Sequence, residues 1–441
     1  GMFESFSGVP LQLDLLFAAS GIAFLVGILL VVALMAGIYP SLILSGMEPL
    51  KALSNEMRLG GGIWLRKGLV VFQFFISMGL LIATLVVSKQ LDYMQSVNLG
   101  YDKEQVIALQ VHYNMRSKIP AFKSELIKNG NANAAAVSNA MPIYIQAGYS
   151  VLPGGDFQKE IMITGFNVDH DIVETIGLEL VAGLGFSEND IDRNIANEQN
   201  LEMPILFNEA ALREMGWTPA ESIGKKINFN GANSVIRGVV KDFYFNSLHH
   251  QVGPLAVFLQ PSEANWILIK LPQGNPTPHL QQISGTWTEM FPERPFNYRF
   301  LDDAYANLYQ TEQKVSSLFG LFSGIAVWIA CMGLFGLVSY VALRRTREIS
   351  IRKVLGADRL DVLKVLSSDF FLLLGIAALL AIPVGIWFSN QWLSGFAYQT
   401  SISPLSYLFA IVLVTAIAVL TIGYRTIRVF AQNPARTLKD E

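Results

Sequence analysis

The sequence predicts an α-helical membrane protein with five transmembrane helices and one α+β extracytoplasmic domain. Of the 441 residues, 52% are hydrophobic and only 15% are charged, whereas charged residues make up about a quarter of an ordinary soluble protein. Apolar runs longer than the roughly 18 residues that indicate a spanning helix occur at both ends of the chain. Between them lie roughly 200 residues of mixed polarity, which is enough for one or two soluble domains.

The five membrane helices are predicted from uninterrupted apolar runs, each long enough to cross about 30 Å of hydrocarbon. They are Leu15–Leu44, Leu69–Ser88, Val315–Leu343, Phe370–Phe388 and Leu405–Tyr424. None has Asp, Glu, Lys, Arg or His in its interior. Proton- and ion-coupled carriers normally keep such residues at membrane depth, so this composition argues against an ion-coupled carrier.

Two features of the N-terminal region concern the start of the chain. Gly1 before Met2 has the form of a residue left by a cleaved tag, so it has no weight in the predicted topology. The first apolar run lacks a preceding basic segment and is much longer than the apolar part of a signal peptide. It therefore predicts a spanning helix.

The orientation follows from Lys and Arg, which favour short cytoplasmic loops. These residues concentrate after the first, third and fifth spans, whereas residues 2–14 and 393–403 contain none. The predicted segments alternate accordingly: an extracytoplasmic N-terminus (1–14), a helix (15–45), a cytoplasmic linker (46–68), a helix (69–90), an extracytoplasmic domain with a helical stalk (91–312), a helix (313–343), a cytoplasmic loop (344–366), a helix (367–392), an extracytoplasmic loop (393–403), a helix (404–428) and a cytoplasmic tail (429–441).

The soluble block is predicted to alternate short strands with helices, as an α+β domain does. Strands are expected at Val106–Val111, Ile161–Phe166 and Ser234–Val240, and helices at Ile119–Lys128 and Glu209–Met215. Helical patterns also continue from the flanking spans through Lys89–Val97 and Asp303–Lys314, which predicts a stalk beyond the bilayer. A tilted helix that ends at the headgroups is the alternative.

The sequence also predicts an internal repeat. Glu48–Glu56 after the first span and Asn433–Glu441 after the last align at a constant offset that pairs Pro49 with Pro434 and Tyr39 with Tyr424. Internal repeats are common in transporters, although a proline after a helix end is also ordinary chemistry. We interpret the first span as the end of an earlier copy of the unit that closes the chain.

The loop after the third span is the one segment in which residue type and spacing indicate a functional site. Glu348 and Arg352 lie four residues apart in the favourable order for a helical ion pair, and Gly356 can end that helix in a left-handed conformation. The result is a short amphipathic helix with Ile351, Val354 and Leu355 apolar and Arg347, Arg352 and Lys353 polar. From the residues alone, this loop either contacts a partner or only sets orientation and binds lipid headgroups.

This loop also carries a resemblance to a known family. Its sequence Arg347-Glu348-Ile349-Ser350-Ile351-Arg352-Lys353-Val354-Leu355-Gly356-Ala357 resembles the signature of FtsX-like, MacB-type permeases of ATP-binding-cassette (ABC) transporters. The similarity continues through Asp369-Phe370, Ala381-Ile382-Pro383, Trp392-Leu393, Gly395-Phe396-Ala397-Tyr398 and Asn433-Pro434, and in the soluble block through Gly224–Ile227 and Ile236–His249. Relative to the eight-span branch of the family, the chain resembles the second half plus the last helix of the first half.

The resemblance implies a permease in the bacterial inner membrane, either a homodimer or a pseudo-dimer, that works with a separate cytoplasmic ABC ATPase. ATP-driven motion would reach the outer domain through the stalk, with export of an extracytoplasmic substrate such as an antimicrobial or peptide. Arg347, Glu348, Ile351, Arg352, Lys353, Leu355 and Gly356 are the expected ATPase-coupling residues. A periplasmic adaptor is a further partner that the family allows. Regulation of cell-wall hydrolases and release of lipoproteins are the alternative functions.

Other chemistry has little support in the sequence. There is no P-loop motif, because Gly60-Gly61-Gly62 lacks the following Lys at the required spacing, so ATP hydrolysis is expected in another subunit and no cofactor is expected. His249-His250 and Asp242 do not form a metal-ligand pattern. The single Cys331 excludes a disulfide within the chain, and the net charge of −3 does not favour nucleic acid.

Overall fold

The computed structural model describes residues 18–45, 62–154, 160–190, 202–344, 348–349, 351–352, 355–356 and 358–430. The chain forms two compact units. The helical unit comprises the described residues up to Leu91, those between Thr311 and Ser394, and those from Thr400 to Phe430. The α+β unit comprises Asp92–Gln310 and Gly395–Gln399. This division matches the predicted fold class, a helical membrane protein with one α+β domain, which is confirmed.

The described helices are α1 Ala19–Ser45, α2 Gly62–Ser96, α3 Ile119–Lys128, α4 Ile172–Thr175, α5 Glu209–Met215, α6 Pro219–Ser222, α7 Thr277–Met290, α8 Leu301–Asn307, α9 Gln310–Arg344, α10 Arg359–Leu393 and α11 Pro404–Phe430. Four helical segments are long and apolar enough to cross a membrane, namely Arg66–Ser96, Gln310–Leu343, Ser367–Leu393 and Pro404–Arg428. The first predicted span corresponds to α1, in which Ala19–Leu34 forms a shorter apolar helix.

The helical unit is held together by apolar side chains on α2, α9, α10 and α11. Its main buried cluster includes Phe74 and Met78 on α2, Leu334 on α9, Phe370 on α10 and Val414 on α11. Large apolar side chains on the outer faces of these helices are exposed. Apolar residues on both the inner and the outer face are expected of helices that lie in lipid.

The α+β unit contains the strands β1 Val106–Gln110, β2 Ala134–Ser138, β3 Gly148–Leu152, β4 Ile161–Val168, β5 Leu180–Gly183, β6 Met203–Asn208, β7 Lys226–Phe229, β8 Ala232–Val240, β9 Leu255–Leu259, β10 Trp266–Lys270 and β11 Tyr298–Phe300. Strands β11, β1, β10 and β2 form an antiparallel sheet in that order. Strands β4, β3, β7, β8, β6 and β9 pair in sequence, and β9 pairs back with β4 to close a ring. The sheet and the ring meet at one pair, Ser138 with Val168.

Each half of the α+β unit has its own core. In the sheet half, Phe122 of α3 packs edge-to-face against Trp287 of α7, with 5.6 Å between the ring centroids. In the ring half, Phe229 and Phe258 pack at 4.8 Å inside the closed strands. All three predicted strands and both predicted helices of this unit occur, with helix bounds identical to the prediction.

The two helical extensions beside the soluble block differ. Helix α2 continues to Ser96, as the pattern of Lys89–Val97 predicts. The helix predicted to run through Asp303–Lys314 is instead interrupted at Leu308 and Tyr309, between α8 and α9. The interruption accompanies the complete burial of Tyr309, whose hydroxyl accepts a hydrogen bond from the backbone N–H of Leu248 at 3.0 Å. A specific tertiary contact therefore overrides the local helical pattern.

Candidate functional site

The candidate site is the loop between α9 and α10, where the sequence places the coupling residues. Arg352 Nη2 lies 2.8 Å from Glu348 Oε1, and both side chains are about half exposed, at 45% and 44%. An exposed ion pair of this kind contributes only a few tenths of a kcal/mol. It fixes the relative position of the two charged groups more than it stabilises the protein.

The same loop presents apolar side chains to its surroundings. Leu355 is 80% exposed and Ile351 is 48% exposed, whereas Ile349 is only 5% exposed. The backbone N–H of Leu355 donates to the carbonyl of Ile351 at 3.0 Å, which holds these two residues in one turn. Ile349, which was not among the candidate residues, is therefore the apolar anchor of the loop, and Ile351 and Leu355 remain available for contact.

Gly356 ends this turn with φ = +89°. A side chain added there would meet no atom within 4 Å, so the requirement for glycine comes from the backbone conformation and not from crowding. This matches the left-handed cap that the sequence predicts. Arg347 and Lys353, the remaining candidate residues, lie outside the described residues, as does Val354.

Basic residues next to the spans also make specific contacts within the helical unit. The Arg66 guanidinium lies 4.5 Å from the ring centroid of Tyr340, and Lys67 Nζ lies 3.4 Å from Asp369 Oδ2. The start of α2 therefore contacts the end of α9 and the start of α10. Arg425 near the end of α11 lies 4.9 Å from the ring of Phe335 on α9. These four helix ends meet at one end of the helical unit, as an alternating topology requires.

A cavity of about 830 Å³ lies in the α+β unit between its two cores. Val137 lines it from the sheet half, and Tyr149 and Phe258 line it from the ring half. Its volume falls within the range of small-molecule sites in proteins. Most of its walls are apolar, and the charged side chains of Arg116, Lys123, Asp169 and Glu188 also line it.

A buried ion cluster lies beside this cavity. Lys123 Nζ contacts the carboxylates of Asp169 and Asp171, and the side chains of Lys123 and Asp169 are only 10% and 5% exposed. Burial raises the pKa of Asp169 above its ordinary value, although the nearby Lys123 ammonium opposes this shift. The Lys123 ammonium contacts both carboxylates, so the cluster joins α3 to the chain that follows β4.

Asp242 and His249, which the sequence analysis weighed as metal ligands, have other partners. Asp242 Oδ2 accepts from Arg213 Nη2 at 2.6 Å, and its other oxygen accepts from the N–H of Ala210 in the first turn of α5. His249 stacks on Phe396, with 4.2 Å between the ring centroids. No group of three metal-ligating side chains occurs in the part of the chain that the structure describes.

The family comparison concerns the C-terminal part of the chain. Residues 320–434 match the model of the FtsX-like permease C-terminal domain. The chain carries an FtsX-like permease domain. The predicted resemblance to FtsX-like permeases is thereby confirmed for residues 320–434. This range includes the candidate loop, most of α9 and all of α10 and α11.

Two solved structures are similar to part of this chain. The periplasmic region of MacB from Actinobacillus actinomycetemcomitans has 14% identity and a TM-score of 0.34, covering 48% of this chain and 97% of that one. The extracellular domain of the noncanonic ABC-type transporter YknZ from Gram-positive bacteria has 8% identity and a TM-score of 0.31, covering 44% of this chain and 97% of that one. No curated protein sequence matches the chain.

Proposed function

We propose that the chain is the permease subunit of an ABC transporter that exports an extracytoplasmic substrate by mechanotransmission. The observation that carries this proposal is the loop between α9 and α10, which lies inside the FtsX-like domain and presents Ile351 and Leu355 beside the Glu348–Arg352 pair. An ordered turn with exposed apolar and charged groups is suited to a protein partner, because buried apolar anchors surrounded by polar groups supply most binding energy.

The proposed partner is a cytoplasmic ABC ATPase that binds this loop. This sequence contains no P-loop motif, which supports the proposal that a separate subunit hydrolyses ATP. The spans without ionisable interior residues favour an ATP-driven over an ion-driven mechanism. The permease acts in the bacterial inner membrane as a homodimer or pseudo-dimer, with the α+β unit on the outer side and the candidate loop in the cytoplasm. A periplasmic adaptor would then receive the exported substrate.

The coupling role can be tested by reversing the Glu348–Arg352 pair. The double variant Glu348→Arg with Arg352→Glu keeps an ion pair and the net charge of the loop, so insertion and stability should be unchanged. The double variant inverts the charges that face the ATPase, and like-charge contacts at an interface cost several kcal/mol. We therefore expect ATPase binding or stimulated ATP turnover to fall by roughly tenfold or more. ATPase binding and ATP turnover are measured with the full chain in nanodiscs and with the ABC ATPases encoded in the same genome.

A matched control is the exposed pair of Lys241 and Glu179 in the α+β unit, whose charged atoms lie 2.9 Å apart. Reversal of this pair should leave ATPase binding unchanged. Equal ATPase binding and stimulation in the loop variant and the control would show that the loop only sets orientation.

The orientation has its own test. Single cysteines at Ser54 and Ser401 in a Cys331→Ala background should be labelled from opposite sides of the membrane, because the basic loops favour the cytoplasm. Ser54 lies outside the described residues, and Ser401 precedes α11. Labelling of both by an impermeant reagent added outside the cell would refute the proposed topology.

A further inference from the structure

The loop between α10 and α11 is unusual in its packing. Gly395–Gln399 connects two membrane helices, yet it belongs to the α+β unit. There it contacts the segment Phe243–Val252, which follows β8. Parts of both stretches, Gly395–Tyr398 and Phe243–His249, carry the resemblance to the FtsX-like family, and neither has a role in the function proposed above.

Tyr398 makes the polar contacts of this loop. Its hydroxyl accepts a hydrogen bond from the backbone N–H of Val252 at 3.2 Å, and its own N–H donates to the carbonyl of Leu248 at 3.4 Å. Its ring packs edge-on against Tyr244, with 4.8 Å between centroids. Burial, with a contribution from Tyr398, raises the pKa of Tyr244 to about 12. Tyr398 is therefore held to the segment by its backbone, its ring and its hydroxyl.

Phe396 makes the apolar contact. Its side chain is 5% exposed and stacks on His249 at 4.2 Å with an interplanar angle of 30°. The His249 ring is held in turn by a 2.7 Å hydrogen bond with Ser247 Oγ. Gln399 Nε2 donates to the carbonyl of Phe396 at 3.1 Å and closes the loop on itself. Burial and ring stacking of this aromatic side chain stabilise the contact.

The same segment is held by chain that adjoins two other membrane helices. The carbonyl of Leu99, three residues after α2 ends, accepts from the N–H of Tyr244 at 2.8 Å. The hydroxyl of Tyr309, the residue before α9, accepts from the N–H of Leu248 at 3.0 Å. The segment Phe243–Val252 thus receives contacts from chain next to α2, α9, α10 and α11.

We propose that Phe396 and Tyr398 are positioning residues that hold the α10–α11 loop on the segment Phe243–Val252 and transmit movement between the last two membrane helices and the α+β unit. This inference rests on the proposed mechanotransmission function and adds a second route to it. Helices α2 and α9 enter the α+β unit as continuous chain. Helices α10 and α11 adjoin the two ends of this loop, so in this proposal their motion is transmitted through these two side chains.

The experiment uses the full chain in nanodiscs with three variants, Phe396→Ala, Tyr398→Ala and Tyr398→Phe. The matched control is Tyr144→Ala, because Tyr144 is a 56% exposed tyrosine of the same unit. Hydrogen exchange at the Val252 amide measures the contact. It should become roughly tenfold faster in both Tyr398 variants, which lose the acceptor hydroxyl, and remain unchanged in the control.

The second readout separates transmission from a merely structural contact. We expect Phe396→Ala and Tyr398→Ala to bind the ATPase normally and to lose most of the stimulated ATP turnover, while Tyr398→Phe keeps the ring contact and most of the stimulation. Normal stimulation in both alanine variants would overturn the positioning role of Phe396 and Tyr398 and leave the proposed function intact. Failure of the unmodified chain to bind any ABC ATPase would overturn both the proposed function and this positioning role.

Discussion

The exposure of Leu355 predicts that Leu355→Ala weakens ATPase binding without lowering the stability of the chain. Leu355 is 80% exposed in the chain, and complete burial of a leucine side chain stabilises by about 1.5–3 kcal/mol. If an ATPase covers it, the burial still available is worth about 1–2.5 kcal/mol. Since each 1.4 kcal/mol is a tenfold change in affinity, Leu355→Ala should weaken ATPase binding by roughly 5- to 50-fold.

The folding of the chain should not change in the same variant. An exposed side chain contributes little to the free energy of unfolding, so the expected effect is within about 0.5 kcal/mol. The assay combines the Kd for the ATPase, measured on nanodisc-embedded chain, with the thermal unfolding midpoint. Leu184→Ala, at a 68% exposed leucine of the α+β unit, is the control. If Leu355→Ala and Leu184→Ala gave the same Kd, Leu355 would not be an interface residue.

Two further predictions concern the stability of the α+β unit. A Cβ at Gly238 would lie 2.5 Å from the backbone oxygen of Leu184, so Gly238→Ala should lower the free energy of unfolding by about 1–3 kcal/mol. A Cβ at Gly253 would meet no atom within 4 Å, so Gly253→Ala should leave the free energy of unfolding unchanged. Chemical denaturation of the full chain checks both variants. Lys123→Met leaves the buried Asp169 carboxylate unpaired and should cost about 3–5 kcal/mol at neutral pH. Because the pKa of Asp169 is raised in the folded chain, the stability lost in Lys123→Met should become smaller as the pH falls through that pKa and the carboxylate is protonated. Thermal unfolding at pH 4 and pH 8 tests this, and an equal loss of stability at both pH values would contradict the reasoning.

Local signals account for the elements that were predicted correctly. Ile119–Lys128 has a proline in its first turn and an apolar face that includes Phe122 and Leu126, and the structure begins and ends the helix at these bounds. Gly356 was predicted at positive φ from its position after an amphipathic turn, which is also local information. Such features depend on neighbours in the sequence, so periodicity and capping rules are sufficient for them.

Contacts between distant residues were not predictable in this way. The break at Leu308 and Tyr309 depends on a hydrogen bond to Leu248, far away in the sequence. The closed ring of strands depends on the parallel pairing of β4 with β9, about which alternation within either strand says nothing. The ring of Tyr244 packs against Tyr398, which is also far away in the sequence, and no local pattern indicates this contact.

The predicted repeat illustrates what sequence and structure each contribute. Helices α1 and α11 both have 27 residues, and Ala19 and Ser45 precede Pro404 and Phe430 by the same 385 positions that separate Pro49 from Pro434. The prolines themselves lie outside the described residues. At this offset Ala410 and Val414, which are fully buried in the helical unit, correspond to Leu25 and Leu29, which are 45% and 68% exposed. Helices α1 and α11 therefore have the same length but differ in the burial of corresponding side chains, because the neighbouring helices decide how a helix packs and its own apolar pattern does not.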